Sequence, residues 1–437
     1  MTARQTAFSA LLHMEEGEGY SNLVLDAALK EAGLTPADTA LASALFYGVL
    51  ERRLTLDFLL DGLLDRRRRL SPPVRTALRL GGYQVLYMDR VPDRAAVYET
   101  VALLKAVQPS AAGLANAVLR RLSGEKDSLL RFDDRPASER LSLECSVPAW
   151  LVQNISSDYG ETAAAAFLRT SLAPPPTYLR ANTLRITAEK LSAALEAEGC
   201  APSPTLLPFA LRLDRPGDLQ KSPLFQDGLF YVEDLASQLC VEALAPQPGE
   251  RLLDLCAAPG GKSFAAALRM ENRGEILSCD LHAHRCGLIE AGRDRLGLSC
   301  IKTRCHDAAS APPETGFDRV LCDVPCSGFG IIRRKPEIKY KDPDSLKSLP
   351  ALQLSILESG AAAVRPGGRL VYSTCTLRRS ENQRVTRRFL AGHPEFEAVA
   401  ITLPGVESAT DDGCLTLMGK QDTDGFFVAA FRRKERT

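Results

Sequence analysis

Two cysteines carry the clearest chemical signal in this sequence. Cys326 lies in the run DVPCSG and Cys375 in the run YSTCT, and each follows an apolar run that is typical of a buried β-strand. In open α/β folds, reactive groups gather at the carboxyl ends of parallel strands. Two thiols at that edge therefore predict covalent chemistry in which one thiol attacks and the other assists. The alternative is that both are packing residues, the usual role of a buried cysteine.

A glycine-rich segment upstream of both thiols predicts a nucleotide-type cofactor loop. An apolar strand is followed by a turn and by a helix that begins near Gly261. Small residues let backbone amides approach a ligand, and a helix N-terminus attracts negative charge. A phosphate-binding P-loop is disfavoured because Cys256 stands where that motif requires glycine, and a plain strand–helix turn is the remaining alternative. The loop that could approach a ligand comprises Cys256, Ala257, Ala258, Pro259, Gly260, Gly261 and Lys262.

Three aspartates follow successive strands of the same region. Asp280 comes about 20 residues after the glycines, where nucleotide-binding sheets place an acid on the ribose hydroxyls, although an aspartate there also suits a helix cap. Asp307 follows the third strand and could accept a hydrogen bond from an adenine amino group, but a solvated turn is the commoner role. Asp323 follows the fourth strand, beside Cys326. The three acids in this order favour a cofactor site more strongly than any one of them.

The elements that must position these residues alternate between strand and helix from about residue 226. Such alternation predicts a parallel sheet with right-handed crossovers, and the last apolar runs predict a closing β-hairpin. The earlier sequence has helical periodicity to about residue 140, followed by short alternating runs around one helix. We therefore predict a multidomain protein with an all-α bundle over 1–145, a small α+β module over 146–225 and an α/β core over 226–437.

Composition narrows the class of protein further. The 437 residues carry 54 basic and 54 acidic side chains, so any RNA-binding site must be a local patch. The 12 cysteines contain no CxxC pair and the 5 histidines no ligand spacing, so we predict no metal and free thiols in a reducing cytoplasm. No apolar run approaches the length of a membrane span, and we expect no membrane partner.

Several short basic runs are candidate RNA contacts, although most such runs are solvated surface. Arg333, Arg334 and Lys335 follow the first thiol loop, and Arg378 and Arg379 follow the second. Their positions directly after the two loops favour a functional role. The runs Arg66–Arg69 and Arg120-Arg121 lie in the helical region, where a role in RNA binding is an open alternative to a charged surface.

One reaction that needs two thiols and an acid is methylation of cytosine at carbon-5. Carbon-5 is a poor nucleophile until a thiolate adds to carbon-6 and converts the ring into an enamine. The proton left on carbon-5 must be removed before the thiol is expelled, and an acid near ring nitrogen-3 would stabilise the adduct. Asp323, Cys326 and Cys375 meet these three needs.

At these residues the chain resembles the NOL1/NOP2/Sun family of RNA cytosine-C5 methyltransferases, which use S-adenosylmethionine. LDLCAAPGGKS is similar to the family's cofactor loop, FDRVLCDVPCSGFGIIRRKPEIKY to its base-pocket motif and LVYSTCTLRRSEN to its nucleophile motif. The resemblance covers about residues 146–437 and implies a Rossmann-like class I methyltransferase core with an RRM-like insert. It implies that Cys375 is the nucleophile and Cys326 assists release, whereas DNA cytosine-C5 methyltransferases attack with the Pro-Cys thiol. The family signature RANTLR adds Arg180 and Asn182 as candidate RNA contacts.

The helical region resembles a NusB-like RNA-binding domain, through LRLGGYQVLYMDRVPDRAAVYETVALLK and GLANAVLRRL. Within the family, this fusion implies an enzyme that acts on 16S ribosomal RNA, naked or in an assembling particle. We expect a monomer. A tRNA cytosine-C5 methyltransferase and a NusB-like RNA-binding factor with a silent core are the alternatives. The two intact thiols argue against a silent core.

Overall fold

The computed structural model describes residues 1–17, 20–64, 69–214, 216–403, 405–406, 413–419 and 422–435. It divides the chain into two compact units, described separately below. The first comprises residues 1–173 and 334–341, and the second comprises 174–333 and 342–437. Of the basic run predicted at Arg66–Arg69, all but Arg69 lies outside the described residues. In the described part of the chain, no helix is both long enough and apolar enough to cross a membrane.

The first unit is built from helices, as the sequence predicts. Local signals set their starts: Thr2 caps α1 through the Gln5 amide, and proline occupies the first turn of α4. Leu45, Leu56 and Leu60 are fully buried in the core between them. The helices are α1 Ala3–Glu15, α2 Ser21–Ala32, α3 Pro36–Leu63, α4 Pro72–Tyr87, α5 Asp93–Val107, α6 Ala112–Leu129, α7 Ala137–Cys145, α8 Ala149–Tyr159 and α9 Glu161–Thr170.

A segment from the later sequence completes this first unit. Lys339, within residues 334–341, is fully buried and donates hydrogen bonds to the carbonyls of Glu51 (3.1 Å) and Cys145 (3.3 Å). The hydroxyl of Tyr340 donates to the carbonyl of Leu50 over 3.1 Å. Burial lowers the pKa of Lys339 to about 8. The helical unit is therefore discontinuous in sequence.

The second unit contains a small antiparallel sheet in the order β2-β3-β1-β4. This sheet extends beyond residue 225, where we predict that the small module ends, because β4 pairs with β1 through Leu179 and Val232. Helix α10 packs on it through Leu191 and Leu195. The elements are β1 Thr177–Ala181, α10 Ala188–Ala197, β2 Pro202–Pro204, β3 Ala210–Leu213, α11 Pro223–Gln226 and β4 Phe230–Val232.

The larger sheet of the second unit confirms the predicted α/β architecture. Its order is β10-β12-β9-β8-β5-β6-β7, with β11 paired to β12. Strands β5 to β9 are mutually parallel, and β12 closes the sheet antiparallel to β9. The strands are β5 Arg251–Asp254, β6 Glu275–Asp280, β7 Ile301–Cys305, β8 Phe317–Asp323, β9 Val364–Thr374, β10 Phe396–Ala398, β11 Cys414–Met418 and β12 Gly425–Arg433. The helices are α12 Leu235–Leu244, α13 Gly261–Arg269, α14 Ala283–Leu296, α15 Leu349–Ala363 and α16 Gln383–Gly392.

The strand order places β5 at a switch point. Strand β5 lies between β6 and β8, so the chain winds to one side through β6 and β7 and to the other through β8 and β9. Ligands of such sheets bind outside the carboxyl ends of the strands on either side of this point. Strand β5 ends at Asp254, which leaves Cys256 in the loop that follows it.

Candidate active site

The carboxyl ends of β8 and β9 bring the two predicted thiols together. The Cys326 and Cys375 sulfur atoms are 3.1 Å apart, and both side chains are partly exposed. Backbone hydrogen bonds fix the loops to each other: the Val324 amide donates to the Ser373 carbonyl over 3.1 Å, and the Gly330 amide to the Cys375 carbonyl over 2.9 Å. The two loops therefore form one rigid platform for both sulfur atoms.

The neighbours of Cys326 suppress its ionisation. The contact with Cys375, followed by burial and nearby carboxylates, raises the pKa of Cys326 well above its ordinary value. Cys326 therefore holds its proton at neutral pH and can donate a hydrogen bond to the neighbouring sulfur. A sulfur that accepts such a hydrogen bond is stabilised as a thiolate, the reactive form of cysteine.

Asp323 is held between a cation and a hydroxyl beside the thiol loops. Its two oxygens accept hydrogen bonds from Lys262 Nζ and from the Ser373 hydroxyl, each over 2.7 Å. Strands β8 and β9 pair Asp323 with Ser373 in register, so the sheet itself sets this contact. Burial lowers the pKa of Lys262, but Asp323 together with other neighbouring groups, including Glu233, more than offsets this and the net pKa is raised. The Lys262–Asp323 pair thus carries a fixed cation and a fixed acid at the sheet edge.

Glu381 is a site residue that the sequence analysis did not single out. Its carboxylate is fully buried and accepts hydrogen bonds from the Ser327 amide (2.9 Å), Gln353 Nε2 (3.0 Å) and Arg378 Nη1 (3.0 Å). Ser327 adjoins Cys326, and Arg378 lies three residues after Cys375. One carboxylate therefore holds both thiol loops. The buried Asn382 braces the Cys375 loop internally, because its Oδ1 accepts from the Thr374 hydroxyl over 2.6 Å.

The glycine loop after β5 forms a close-packed cradle. Gly260 has a φ of +113°, and a Cβ atom built there would lie 2.4 Å from the Phe264 ring. A Cβ atom on Gly261, the first residue of α13, would lie 2.8 Å from Glu233 Oε1. That oxygen has no hydrogen-bond partner among the described residues, and burial raises the pKa of Glu233 to about 7. A tight helix N-terminus beside an unpartnered buried acid fits a charged, hydrogen-bonding cofactor.

Asp280 serves the cofactor loop and the next helix at the same time. It is almost fully buried, its Oδ1 accepts the His282 amide over 3.2 Å, and its Oδ2 lies 3.2 Å from Arg285 Nη1. Arg285 also donates to the Ala258 carbonyl over 3.0 Å, so it ties the acid to the glycine loop. Asp307 lies after β7, is exposed and accepts the Ala309 amide over 3.0 Å. The structure thus places both acids at the edge that the sequence analysis predicts.

The candidate RNA contacts separate into buried and exposed residues. Arg180 is 3% exposed and lies 3.9 Å from the Phe209 ring centre, and Asn182 is fully buried and donates to the Gly228 and Leu296 carbonyls. Both side chains are engaged with the protein and neither presents a surface for RNA. Arg333 Nη2 donates to the Pro174 carbonyl over 2.6 Å. Arg379, in contrast, is exposed and lies in the loop that follows Cys375.

The remaining basic candidates and the cysteines give further detail. Arg334 and Lys335 belong to the first unit, where Lys335 Nζ lies 5.1 Å from the Tyr20 ring centre. All 12 cysteines are free. Within the described ranges, no group of three or more His, Cys, Asp or Glu side chains could hold a metal ion.

Comparisons with known proteins match three parts of the chain. Residues 241–432 match the family model for the 16S rRNA methyltransferase RsmB/F, and residues 1–124 match the NusB family. Residues 147–220 match the ferredoxin-like domain of RsmF/B-like methyltransferases. These matches confirm the predicted order of a NusB-like domain, a small α+β domain and a methyltransferase core.

Full-length relatives carry the same description. The probable ribosomal RNA small subunit methyltransferase B of Bacillus subtilis is 38% identical over 99% of both chains. That of Synechocystis is 34% identical over 99% of this chain and 100% of its own. The crystal structure of PH0851 is 25% identical and covers 99% of this chain and 98% of its own, with a TM-score of 0.82.

A second solved structure shares the fold of part of the chain. The structure of NSun6 from Pyrococcus horikoshii with SFG covers 66% of this chain and 99% of its own, with 22% identity and a TM-score of 0.61, and it supports the fold. The methyltransferase match spans the whole glycine cradle, and S-adenosylmethionine is the cofactor of this chain. The chain belongs to the RsmB/F family of 16S rRNA methyltransferases.

Proposed function

We propose that this enzyme methylates carbon-5 of one cytosine in 16S rRNA through a covalent bond between Cys375 and carbon-6 of the base. The observation that carries the proposal is the 3.1 Å separation of the Cys326 and Cys375 sulfur atoms, in loops that a buried carboxylate joins. A methyltransferase that acts on an already nucleophilic atom needs no thiol. Two thiols in contact fit a reaction that makes and later breaks a carbon–sulfur bond.

The first half of the reaction uses Cys375 and the Lys262–Asp323 pair. The target base must be unstacked to reach them. The Cys375 thiolate adds to carbon-6, and the electron pair of the 5,6 double bond moves toward carbon-5 and the N3–C4 portion of the ring. Lys262 supplies a cation, and Asp323 shares a proton with ring nitrogen-3; both stabilise this charge. When bound, S-adenosylmethionine supplies the electrophilic methyl group that carbon-5 takes up.

The second half of the reaction regenerates the enzyme. Water in the site takes the proton that carbon-5 retains, the electron pair of that C–H bond reforms the 5,6 double bond, and the Cys375 sulfur leaves carbon-6 as a thiolate. Cys326 is suited to assist because its sulfur lies 3.1 Å from the leaving sulfur. Because its pKa is raised, Cys326 stays protonated at neutral pH. It can therefore donate a hydrogen bond to the leaving Cys375 sulfur and does not compete as a nucleophile.

Substitution of each thiol separates the two roles. The Cys375→Ala enzyme should form no covalent complex with 5-azacytidine RNA and should lose methyl transfer by at least about a thousandfold. The Cys326→Ala enzyme should still form the complex and should accumulate it on denaturing gels, because release is impaired. Cys145→Ala is the matched control, since Cys145 is a buried free thiol at the end of α7 in the helical unit.

The opposite pattern would reverse the assignment. A Cys375→Ala enzyme that cross-links, together with a Cys326→Ala enzyme that does not, would point to attack by the Pro-Cys thiol. Bisulfite mapping of 16S rRNA from cells with and without the gene would identify the methylated cytosine. If loss of the gene leaves every methylated cytosine of 16S rRNA in place and removes one from tRNA, the substrate is instead a tRNA.

We also propose that the enzyme works in the cytoplasm, as a monomer, on rRNA that is naked or partly assembled. The free cysteines fit a reducing compartment. The exposed Arg379 is the strongest of the predicted RNA contacts, because it lies four residues after the proposed nucleophile.

A further inference from the structure

The first unit contains a groove between α5 and α6 that the catalytic mechanism does not use. Its volume is about 770 Å³, and Tyr98, 70% exposed, stands at its surface. On α5, residues 94, 98, 101 and 105 follow one helical face, and Asn116 and Arg120 face them from α6. We call this surface the α5–α6 groove. Its charged and aromatic residues are Asp93, Arg94, Tyr98, Lys105 and Arg120.

The α5–α6 groove carries positive charge that no ion pair among the described residues neutralises. Arg94, Lys105 and Arg120 are all exposed, and none has an ion-pair partner within the described part of the chain. The one acid in the lining, Asp93, is already occupied, because it accepts from the Ser123 hydroxyl over 2.7 Å and from Lys126 over 3.3 Å. In a chain of zero net charge, three free cations around one groove form a local electrostatic site for an anion.

A second groove in the same unit shows the contrast. Its volume is about 790 Å³, but three of the four arginines in its lining are paired with acids. Arg75 contacts Asp61, Arg121 contacts Glu125 over 2.9 Å, and Arg135 contacts Glu139. The neighbours Arg120 and Arg121, equivalent in the sequence, thus differ: one is free at the α5–α6 groove and the other is neutralised.

We propose that the α5–α6 groove binds a single-stranded stretch of the substrate RNA, with a base stacked on Tyr98 and phosphates on Arg94, Lys105 and Arg120. The inference rests on the proposed function for the identity of the RNA. An exposed aromatic ring between free cations is the combination that binds single strands, because the ring stacks on any base and the cations follow the backbone. The Asn116 amide offers a donor and an acceptor to a base edge.

The test measures binding of the full-length enzyme to a 16S rRNA transcript. Tyr98→Ala should raise the dissociation constant about tenfold, whereas Tyr98→Phe should leave it unchanged because the ring remains. Replacement of Arg94, Lys105 and Arg120 by Gln should reduce the slope of log affinity against log salt by about 2. Arg121→Gln is the matched control and should change neither quantity.

Catalysis provides the second readout. With RNA at saturation, Tyr98→Ala should methylate and form the covalent complex at the wild-type rate, since the groove acts in binding alone. An unchanged dissociation constant for both Tyr98→Ala and the triple variant would overturn the proposal. Loss of binding to ribosomal particles but not to naked transcript would also overturn it, and would assign the groove to a protein. Failure of wild-type methylation would instead count against the proposed function, because RNA binding is measured separately.

Discussion

The active site and the α5–α6 groove are both assigned to RNA, yet they are built in opposite ways. At the active site, nearly every polar side chain is bound to another: Lys262 to Asp323, Asp323 to Ser373, and Glu381 to both thiol loops. In the groove, Arg94, Lys105, Arg120 and Tyr98 have no such ties to any residue that the structure describes. The difference indicates that catalysis requires polar groups that are held in place before the substrate arrives. RNA binding requires charged groups that are still available to pair with the RNA.

The largest expected effect comes from removing the charge at the centre of the fixed site. Asp323→Asn should lower methyl transfer about a thousandfold, because the amide neither bridges a proton nor balances the buried Lys262 cation. RNA affinity should change by less than about threefold. Single-turnover methylation and filter binding measure the two quantities. Asp318→Asn, at the opposite end of the same strand, is the control. Retained activity in Asp323→Asn would remove the acid from the mechanism.

A smaller loss of activity is expected when the contacts that hold the two thiol loops are weakened while both thiols are kept. Glu381→Gln replaces one acceptor oxygen by a donor, so the Ser327, Gln353 and Arg378 donors cannot all be satisfied. We expect the turnover number to fall about 100-fold with little change in the KM for RNA. Covalent complex formation should slow in parallel. The exposed Glu358→Gln on α15 is the control. A rise in KM alone would assign Glu381 to RNA binding instead.

A single methyl group added to the glycine loop should weaken cofactor binding. Gly261→Ala places a Cβ atom 2.8 Å from Glu233 Oε1, so the helix start must shift. We expect the dissociation constant for S-adenosylmethionine, measured by calorimetry, to rise about tenfold. Combining it with Glu233→Ser should recover part of the loss, as neighbouring substitutions couple. Gly287→Ala on α14, which meets no atom within 4 Å, should have no effect.

The smallest expected effect is on the free energy of unfolding and comes from the buried Lys339 of the helical unit. The pKa of Lys339, lowered to about 8, lies below the value of an unfolded lysine, so unfolding takes up a proton between these values. The free energy of unfolding should therefore rise by about 1 kcal/mol from pH 7 to pH 8.5. Urea titrations of the wild type and Lys339→Met should show that the rise is absent in the variant. Equal slopes in both proteins would place the titration elsewhere.

The sequence predicts that Cys326, Cys375 and Asp323 meet at one sheet edge, and the fold brings them there because the signals are local. Cys326, Cys375 and Asp323 each follow a buried apolar run, and parallel strands bring such ends to one edge. Glu381 gives no comparable signal, since an acid in RRSEN resembles a solvated helix start. Its role depends on donors from Ser327 and Gln353, which only the fold brings to it.

The basic residues show where sequence patterns fail. Arg180 resembles a surface cation, but packing against Phe209 and a position 3.8 Å from Glu242 account for its burial. Arg120 and Arg121 are adjacent, yet helical geometry sends them to different grooves. Whether a cation is available to a ligand depends on its spatial neighbours, and these are not encoded within a short window of sequence.

The segment at residues 334–341 has a consequence for how the protein is made. The helical unit needs Lys339 and Tyr340 to satisfy backbone carbonyls in its interior, but these residues follow β8 in the chain. Domains generally fold in order as they leave the ribosome. Here the amino-terminal unit cannot be completed until translation has passed residue 341, when strands β5 to β8 have already been synthesised. The two units are thus linked in their biosynthesis, and a gene truncated at residue 173 would encode an unfinished bundle rather than a free-standing module.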